Sequence, residues 1–461
     1  MTEPTPAGSA VGGDAVESDV VRDDAAGRVL PDDGPAWVRV RAATWGALAG
    51  LAMLLVGAWA GRADVAVIGA PVVVWAVWCW TARPSGDVVV EVETDASTTP
   101  GELRTAVRVS APAGTTAVAL GLRRSNRTQA RALVRVRDGR REVPFVVHTV
   151  RTGPQTVAEV DSLGLGPGLA SVSEPGEPAA GEALVLPGVR PLGALPLPPR
   201  LRGLTGGHDS RRPGEGGGLR DVHPYTPGDR LRRIDWRVTA RRSPRLRELY
   251  VRREHALAEA VVVLVVDSRD EVGPDPRTWG GWSRPRGVDP TSLDLARTAA
   301  ASLAQAFLDQ GDRVGLDDLG ALRRPLPPGG GRRQLDRIRN ALALTRPEGD
   351  PVRRTRAPQL PSGALVVVFS TFLDDQAAHA AAQWRAAGHR VVAVDVLPTL
   401  REHLLDARER LALQLVTIAR ADRLAALADA DVELVSWRDH PEVALAGLAR
   451  RAQRRAGAGA R

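Results

Sequence analysis

The sequence predicts an α/β protein with three parts: an N-terminal two-helix transmembrane hairpin, a small β-sandwich-like region, and a C-terminal doubly wound parallel sheet. Three observations predict it. Two apolar runs lie near the N-terminus, five short alternating runs follow them, and from Ala260 onward apolar strand-like runs alternate with helical ones. Alternating β and α elements imply a parallel sheet covered on both faces.

Residues 1–36 carry eight acids against Arg22 and Arg28, a net charge of −6, with no apolar periodicity. That composition predicts a disordered acidic tail, and the absence of a basic n-region argues against a secretory signal peptide. The apolar runs Ala43–Ala60 and Val65–Trp80 come next, within residues 42–82. Each approaches the ~20 residues that cross a ~30 Å hydrocarbon core. Five of the eleven tryptophans (Trp45, Trp59, Trp75, Trp78, Trp80) lie in them, mostly toward their ends, as an interfacial belt would place them. Arg39 and Arg41 precede the first run and Arg83 follows the second, whereas the intervening loop offers Arg62 beside Asp64. The positive-inside rule then puts both termini in the cytoplasm of a multi-pass protein of the cell membrane.

Residues 87–187 read as the β-sandwich-like region, from the runs VVVEVE, RTAVRVSA, TAVALGL, RALVRVR and EVPFVVHTV. Residues 188–255 read as a Gly/Pro-rich linker followed by a dense motif. Residues 256–455 hold the α/β pattern. Its strands are Val261–Val266, Arg313–Leu319, Ala364–Ser370, His389–Leu397 and Val432–Trp437. Its helices are 293–310, 332–344, 377–387 and 411–418, with an arginine-rich one at the end.

The chain holds no lysine, so all 62 basic residues are arginine and the net charge is +8. With the Ala, Gly, Pro and Val richness this points to GC-rich coding, which makes position more informative than count. The single cysteine, Cys79, excludes an intrachain disulfide and any multi-cysteine metal site. The sequence shows no Gly-x-Ser-x-Gly, phosphate loop or His-Glu-x-x-His. His208, His223 and His255 lack ligand spacing, and Pro327–Arg333 (PPGGGRR) reads as a flexible turn.

The first α/β strand ends in VVDSRDEVG, which puts Asp267 where open α/β sheets bind ligands. A von Willebrand A-like domain would carry Asp-x-Ser-x-Ser here for Mg²⁺. This chain has Arg269 and Glu271 at the two serine positions, and Thr371 where a second carboxylate is expected. An arginine offers a cation no acceptor. The reading is a degenerate site at Asp267, no catalytic residue and no cofactor, with Mg²⁺ disfavoured.

The densest segment is His223–Arg242, HPYTPGDRLRRIDWRVTARR. Pro227 and Gly228 suit a tight turn. Asp229 could cap a short helix, and Leu231, Ile234 and Val238 stand at i, i+3, i+7. Residues 200–253 balance to +9, read as arginines paired with Asp221, Asp229 and Asp235 and not as a nucleic-acid surface. Asp221–Glu254 resembles the signature of the DUF58 family, a domain of unknown function. Its pattern Tyr-x-Pro-Gly-Asp, Arg-x-Ile-Asp-Trp, Ala-Arg is matched by Tyr225, Pro227, Gly228, Asp229, Arg232, Ile234, Asp235, Trp236, Ala240 and Arg241.

The resemblance implies two spans, a β-rich part, the motif and a von Willebrand A-like domain. It also implies association with a MoxR-type AAA+ ATPase, besides membrane lipid and other membrane proteins. The expected function is a membrane-anchored, non-enzymatic scaffold or adaptor serving protein assembly or cell-envelope maintenance, whose partner meets those ten motif residues. The alternatives are a divalent-cation-dependent adhesion module and a hydrolase using Asp267 or Asp235.

Overall fold

The computed structural model describes residues 37–96, 101–124, 127–136, 139–203, 206–280, 287–321, 324–348 and 358–458. The acidic tail read over residues 1–36 lies outside them. The chain divides into two compact units. One comprises residues up to Asp87 with Pro112–Gly114 and Gly166–Glu174; the other comprises Val88–Ala111, Thr115–Leu165 and the chain from Pro175. Elements are numbered along the chain.

In the first unit, β1 (Val38–Arg39) pairs antiparallel with β8 (Ser171–Val172). Two apolar helices, α1 (Arg41–Trp59) and α2 (Ala63–Thr81), are each 19 residues long and apolar enough to cross a membrane. Glycine lets them approach closely. A Cβ on Gly69 would sit 2.4 Å from the Gly50 carbonyl oxygen, the small-residue contact that apolar helices use in lipid. Cys79 is fully buried beside Ala43 and Ala170, and the Arg39 guanidinium lies over the Trp80 ring at 4.6 Å.

The second unit begins with two antiparallel sheets. The first has the order β2 (Val89–Ala96), β3 (Glu102–Ser110), β6 (Arg140–His148). The second runs β5 (Arg127–Arg135), β4 (Ala117–Arg124), β7 (Gly153–Leu165), β9 (Ala179–Val185). Alternation supplies the shared core. In β3, Val107 and Val109 are buried while Arg104 and Arg108 point outward; they pack with Val118 and Leu120 of β4 and Val160 of β7. The five runs read from the sequence all fall in strands. β7 and β9 were not read, because their Gly, Pro and acidic residues hide a sparse apolar alternation.

The α/β sheet has the order β14 (Leu326–Gly329), β13 (Arg313–Asp318), β12 (Val261–Val266), β15 (Leu365–Ser370), β16 (Arg390–Asp395), β17 (Glu433–Ser436). All pairs are parallel except β13–β14. Val262, Leu264 and Val266 face a core built with α4 (Ser292–Asp309), α5 (Arg332–Leu344) and α8 (Pro441–Ala458). Val263 and Val265 face the opposite core, built with α6 (Asp375–Ala386) and α7 (Ala407–Asp429). Burial on both faces explains why β12 and β15 are unbroken apolar runs.

Two stretches differ from their sequence reading. Residues 187–203 have no regular structure, yet they are a packed strap and not a free linker. Leu195 is buried in the core beside α4, the Arg190 amide donates to Ser302 Oγ at 2.9 Å, and Arg390 donates to the Leu197 carbonyl at 2.8 Å. The helix read over 411–418 is the 23-residue α7, opened by the capping box of Asp406 and Glu409.

The loop joining β6 to β7 is tied to the α/β domain chiefly through the carboxylate of Asp294. Asp294 Oδ1 accepts from the Thr152 amide and hydroxyl, both at 2.7 Å, and Oδ2 accepts from the Thr291 amide at 2.9 Å as part of the α4 capping box. Arg151 Nε lies 2.7 Å from Oδ2, and Arg297 donates to the carbonyls of Thr152 and Thr345. Gly153, at φ +87°, permits this approach: a Cβ would meet the Ala343 oxygen at 2.9 Å and the Arg297 guanidinium at 3.1 Å. Removing one partner of a buried charged cluster leaves the others desolvated. Asp294→Ala is therefore expected to destabilise the second unit by about 3–5 kcal/mol. Asp294→Asn, which keeps an acceptor, should lower the thermal midpoint less; equal midpoints for wild type and Asp294→Ala would contradict the assignment.

Candidate functional site

The motif sits at the tip of a two-stranded ribbon formed by β10 (His208–Pro224) and β11 (Tyr250–Ala258). Its base is fixed by His208, whose Nε2 is 3.0 Å from Oδ2 of the fully buried Asp312; Oδ1 of that carboxylate accepts from the Ala260 amide at 2.8 Å.

At the tip, the Tyr225 amide donates to the Leu249 carbonyl at 2.7 Å and the chain turns through Thr226-Pro227-Gly228-Asp229. The Asp229 amide donates to the Thr226 carbonyl at 3.0 Å, and Asp229 Oδ2 accepts from the Thr226 amide and hydroxyl at 2.9 and 2.8 Å. Gly228 takes φ +106°, a region that disfavours a side chain. The Thr226 bonds hold the Asp229 pKa below the ordinary aspartate range, with Arg253 and His223 adding to the effect.

Asp229 thus closes a turn and does not cap a helix. The cap is Asp235, which accepts from the Val238 amide at 3.0 Å and starts α3 (Trp236–Arg242). The apolar stripe also breaks up. Leu231 lies in a 3-10 turn, Ile234 is extended and bridges to Val251, and only Val238 is in the helix. Inside α3, the buried Thr239 accepts from the Tyr250 amide at 3.0 Å, and the Arg242 guanidinium lies over the Tyr250 ring. The acids meet arginines mostly from β11 (Arg253 to Asp229 at 3.5 Å, Arg252 to Asp235 at 4.0 Å) and from Arg220 to Asp221 at 3.8 Å.

The ten motif residues therefore divide in two. Gly228, Asp229, Ile234 and Asp235 shape the backbone. Trp236 is 62% exposed, Tyr225, Pro227, Arg232, Ala240 and Arg241 are exposed too, and the neighbouring Leu231 is 64% exposed.

A second cluster lies at the C-terminal edge of the parallel sheet. Asp267 follows β12, and Arg269 returns to grip it: Nε to Oδ1 and Nη2 to Oδ2, both at 2.8 Å. The other side of the guanidinium holds Asp374, the cap of α6, at 2.6 and 2.9 Å. Asp267 Oδ2 also accepts from Ser370 Oγ at 2.7 Å. Burial opposes the charge on Arg269, but the bonds and charges of Asp267 and then Asp374 outweigh it and raise its pKa.

Half-buried Asp270 accepts from Thr371 Oγ1 at 3.1 Å. Burial, followed by the charge of Asp267, pushes its pKa up to about 7. Glu271 turns away to Thr291 Oγ1 at 2.7 Å and to Arg151. Along the same edge, Asp395 pairs with Arg420 at 2.5 Å, and Arg420 donates to the Thr371 carbonyl at 2.7 Å.

These residues do not fit a divalent metal, because the two carboxylates that would face it are bridged by a fixed guanidinium. The partnership of Arg269 with Asp374 was missed from sequence. The FSTFLDD run carries that aspartate, but sequence spacing could not show that it returns to strand β12.

These features define a mixed α/β protein with two apolar N-terminal helices, several sheets and a structured surface motif. Residues 221–414 match the model of the family described as "Protein of unknown function DUF58", which supports a DUF58 family protein. No curated protein matches the chain significantly.

A carboxyl whose pKa is raised on folding supports stability below its unfolded value and loses that support as pH rises to its folded value. For Asp270 the window runs from 3.8 to about 7. The stability advantage of Asp270→Asn over wild type should widen across that window and stay constant above it, reaching a few kcal/mol. Thermal midpoints of both proteins at several pH values measure this, and a pH-independent gap would contradict it. Millimolar Mg²⁺ should leave the wild-type midpoint unchanged.

Proposed function

We propose that this protein is a membrane-anchored, non-enzymatic adaptor that presents its ribbon tip to a cytoplasmic protein partner. The observation that carries the reading is the exposure of Trp236 and Leu231, amid exposed arginines, on a tip whose backbone is fixed by Asp229 and Asp235. Exposed Trp and Arg on an ordered scaffold are the residue types that dominate binding energies between proteins. A tip already held in shape loses little entropy on docking.

The remaining parts fit around this surface. α1 and α2 serve as a transmembrane hairpin, with Arg39, Arg41 and Arg83 keeping both termini in the cytoplasm. The α/β domain is read as von Willebrand A-like in its strand order, with Arg269 standing where such a domain would hold a metal. The partner implied by the family resemblance is a MoxR-type AAA+ ATPase, in protein assembly or cell-envelope maintenance. A non-enzymatic role is favoured because the motif acids Asp229 and Asp235 are engaged in a turn and a helix cap.

The test is co-purification of the full chain from its own membranes. An AAA+ ATPase should come with the wild type, and Trp236→Ala or Leu231→Ala should reduce its recovery by about tenfold or more. Because both side chains are exposed, the thermal midpoint should stay within about 0.5 kcal/mol of wild type in stability terms. Asp235→Ala is a less clean probe, since it also removes a cap worth about 1 kcal/mol. Undiminished recovery with both surface variants would sink the reading, as would a C-terminal reporter that reads outside the cytoplasm.

A further inference from the structure

Helix α7 carries apolar residues on two opposite faces. At ~100° per residue, Leu413, Arg420, Leu424 and Leu427 share one side, and that side meets the domain. Leu413 and Leu427 are buried, Leu424 packs on the core beneath α6, and Arg420 reaches Thr371 and Asp395. The opposite side holds Leu411, Ala412, Leu415, Ile418 and Ala419, all exposed; Leu411, Leu415 and Ile418 are 59%, 63% and 53% exposed. Arg408 closes this strip at one end and Asp422 at the other. Both are exposed, and neither has an ion-pair partner among the described residues. A helix face needs no such strip for its own fold, since the inward face already supplies the packing.

The order of residues on the strip says what covers it. The geometry points to a second copy of this chain, docked by α7 against α7 in antiparallel fashion about a two-fold axis at Leu415. Under that symmetry Leu415 meets its own copy, Leu411 meets Ala419, and Ile418 meets Ala412. Away from the axis each large side chain lies against a small one, which lets two helices approach to ~8–10 Å. The ends match as well: Arg408 meets Asp422 of the other copy, twice over. An in-register parallel pairing would set Arg408 against Arg408 and Asp422 against Asp422. Only the antiparallel arrangement satisfies both charges, and it is the self-complementary pattern an isologous dimer requires.

The strip is about 21 Å long from Arg408 to Asp422 at 1.5 Å per residue, and a contact of one helix on its copy is small beside the ~1,600 Å² of a standard interface. The dimer is accordingly weak and exchangeable. The family match ends at residue 414, within the strip. The inference is independent of the ribbon tip and of the adaptor reading.

Cysteine crosslinking of the full chain in the cells that make it tests the arrangement, with buried Cys79 as the sole native thiol. Leu415→Cys should give a disulfide-linked dimer on mild oxidation, while Gln414→Cys, about 100° around the helix, should not. In the Leu415→Cys background, Arg408→Asp or Asp422→Arg alone should each lower the dimer yield by about tenfold, since each creates two like-charge contacts. Co-expressing the two charge variants should restore the yield, because the mixed dimer regains two opposite-charge pairs. Equal crosslinking at 414 and 415, indifference to charge reversal, or no restoration on mixing would each overturn the two-fold. A lipid surface or a different protein on this face would appear as no crosslink at 415.

Discussion

The carboxylate of Asp294 is the constraint on which the second unit depends. It lies in the first turn of α4, where a capping box already uses it, and it also accepts both donors of Thr152 from the loop joining β6 to β7. A buried carboxylate is tolerable only when its lone pairs are filled and a cation is near. Arg151 supplies that charge, and Arg297 links the same loop to the end of α5. These bonds are short and directional, and they hold the loop joining β6 to β7 against the start of α4. Gly153 is the backbone consequence, since no side chain fits against the Ala343 carbonyl there.

Arginine plays three physically distinct parts. Arg297 is buried structure. Arg269 is an internal cation that neutralises Asp267 and Asp374 at the sheet edge and so excludes a mobile one. Beside the motif, the pairs of Arg252 with Asp235 and of Arg253 with Asp229 are long and solvent-screened and contribute little to stability. Charge count alone would have merged these roles, which differ in burial and in the distance to the nearest carboxylate.

The legibility of the fold follows the strength of its local signals. Val261–Val266 and Leu365–Ser370 are unbroken apolar runs and were readable as central strands. α1 and α2 were readable from length and composition. β7 was not, because burial of its inward residues Val157 and Val160 is set by β3 and β6 of the facing sheet. Residues 187–203 read as linker because Pro and Gly suppress regular structure, yet long-range contacts to Ser302 and Arg390 pack them down. At the motif, the turn at Pro227-Gly228 was legible; the helix cap was placed on Asp229, six residues before the true cap, because both acids precede plausible helix starts.

By itself the sequence determined the order of parts, the two apolar helices, the alternating strands and helices, and the motif that marks the DUF58 family. These depend on composition and spacing within short windows, where local periodicity dominates. Tertiary structure decided which polar side chains meet. Arg269 and Asp374 are 105 positions apart, Thr152 and Asp294 are 142 apart, and Arg390 and Leu197 are 193 apart. Such partnerships depend on strand order and on the depth at which each group is buried. Neither is encoded in any local stretch, because desolvation and charge pairing act across whatever surfaces the fold brings together.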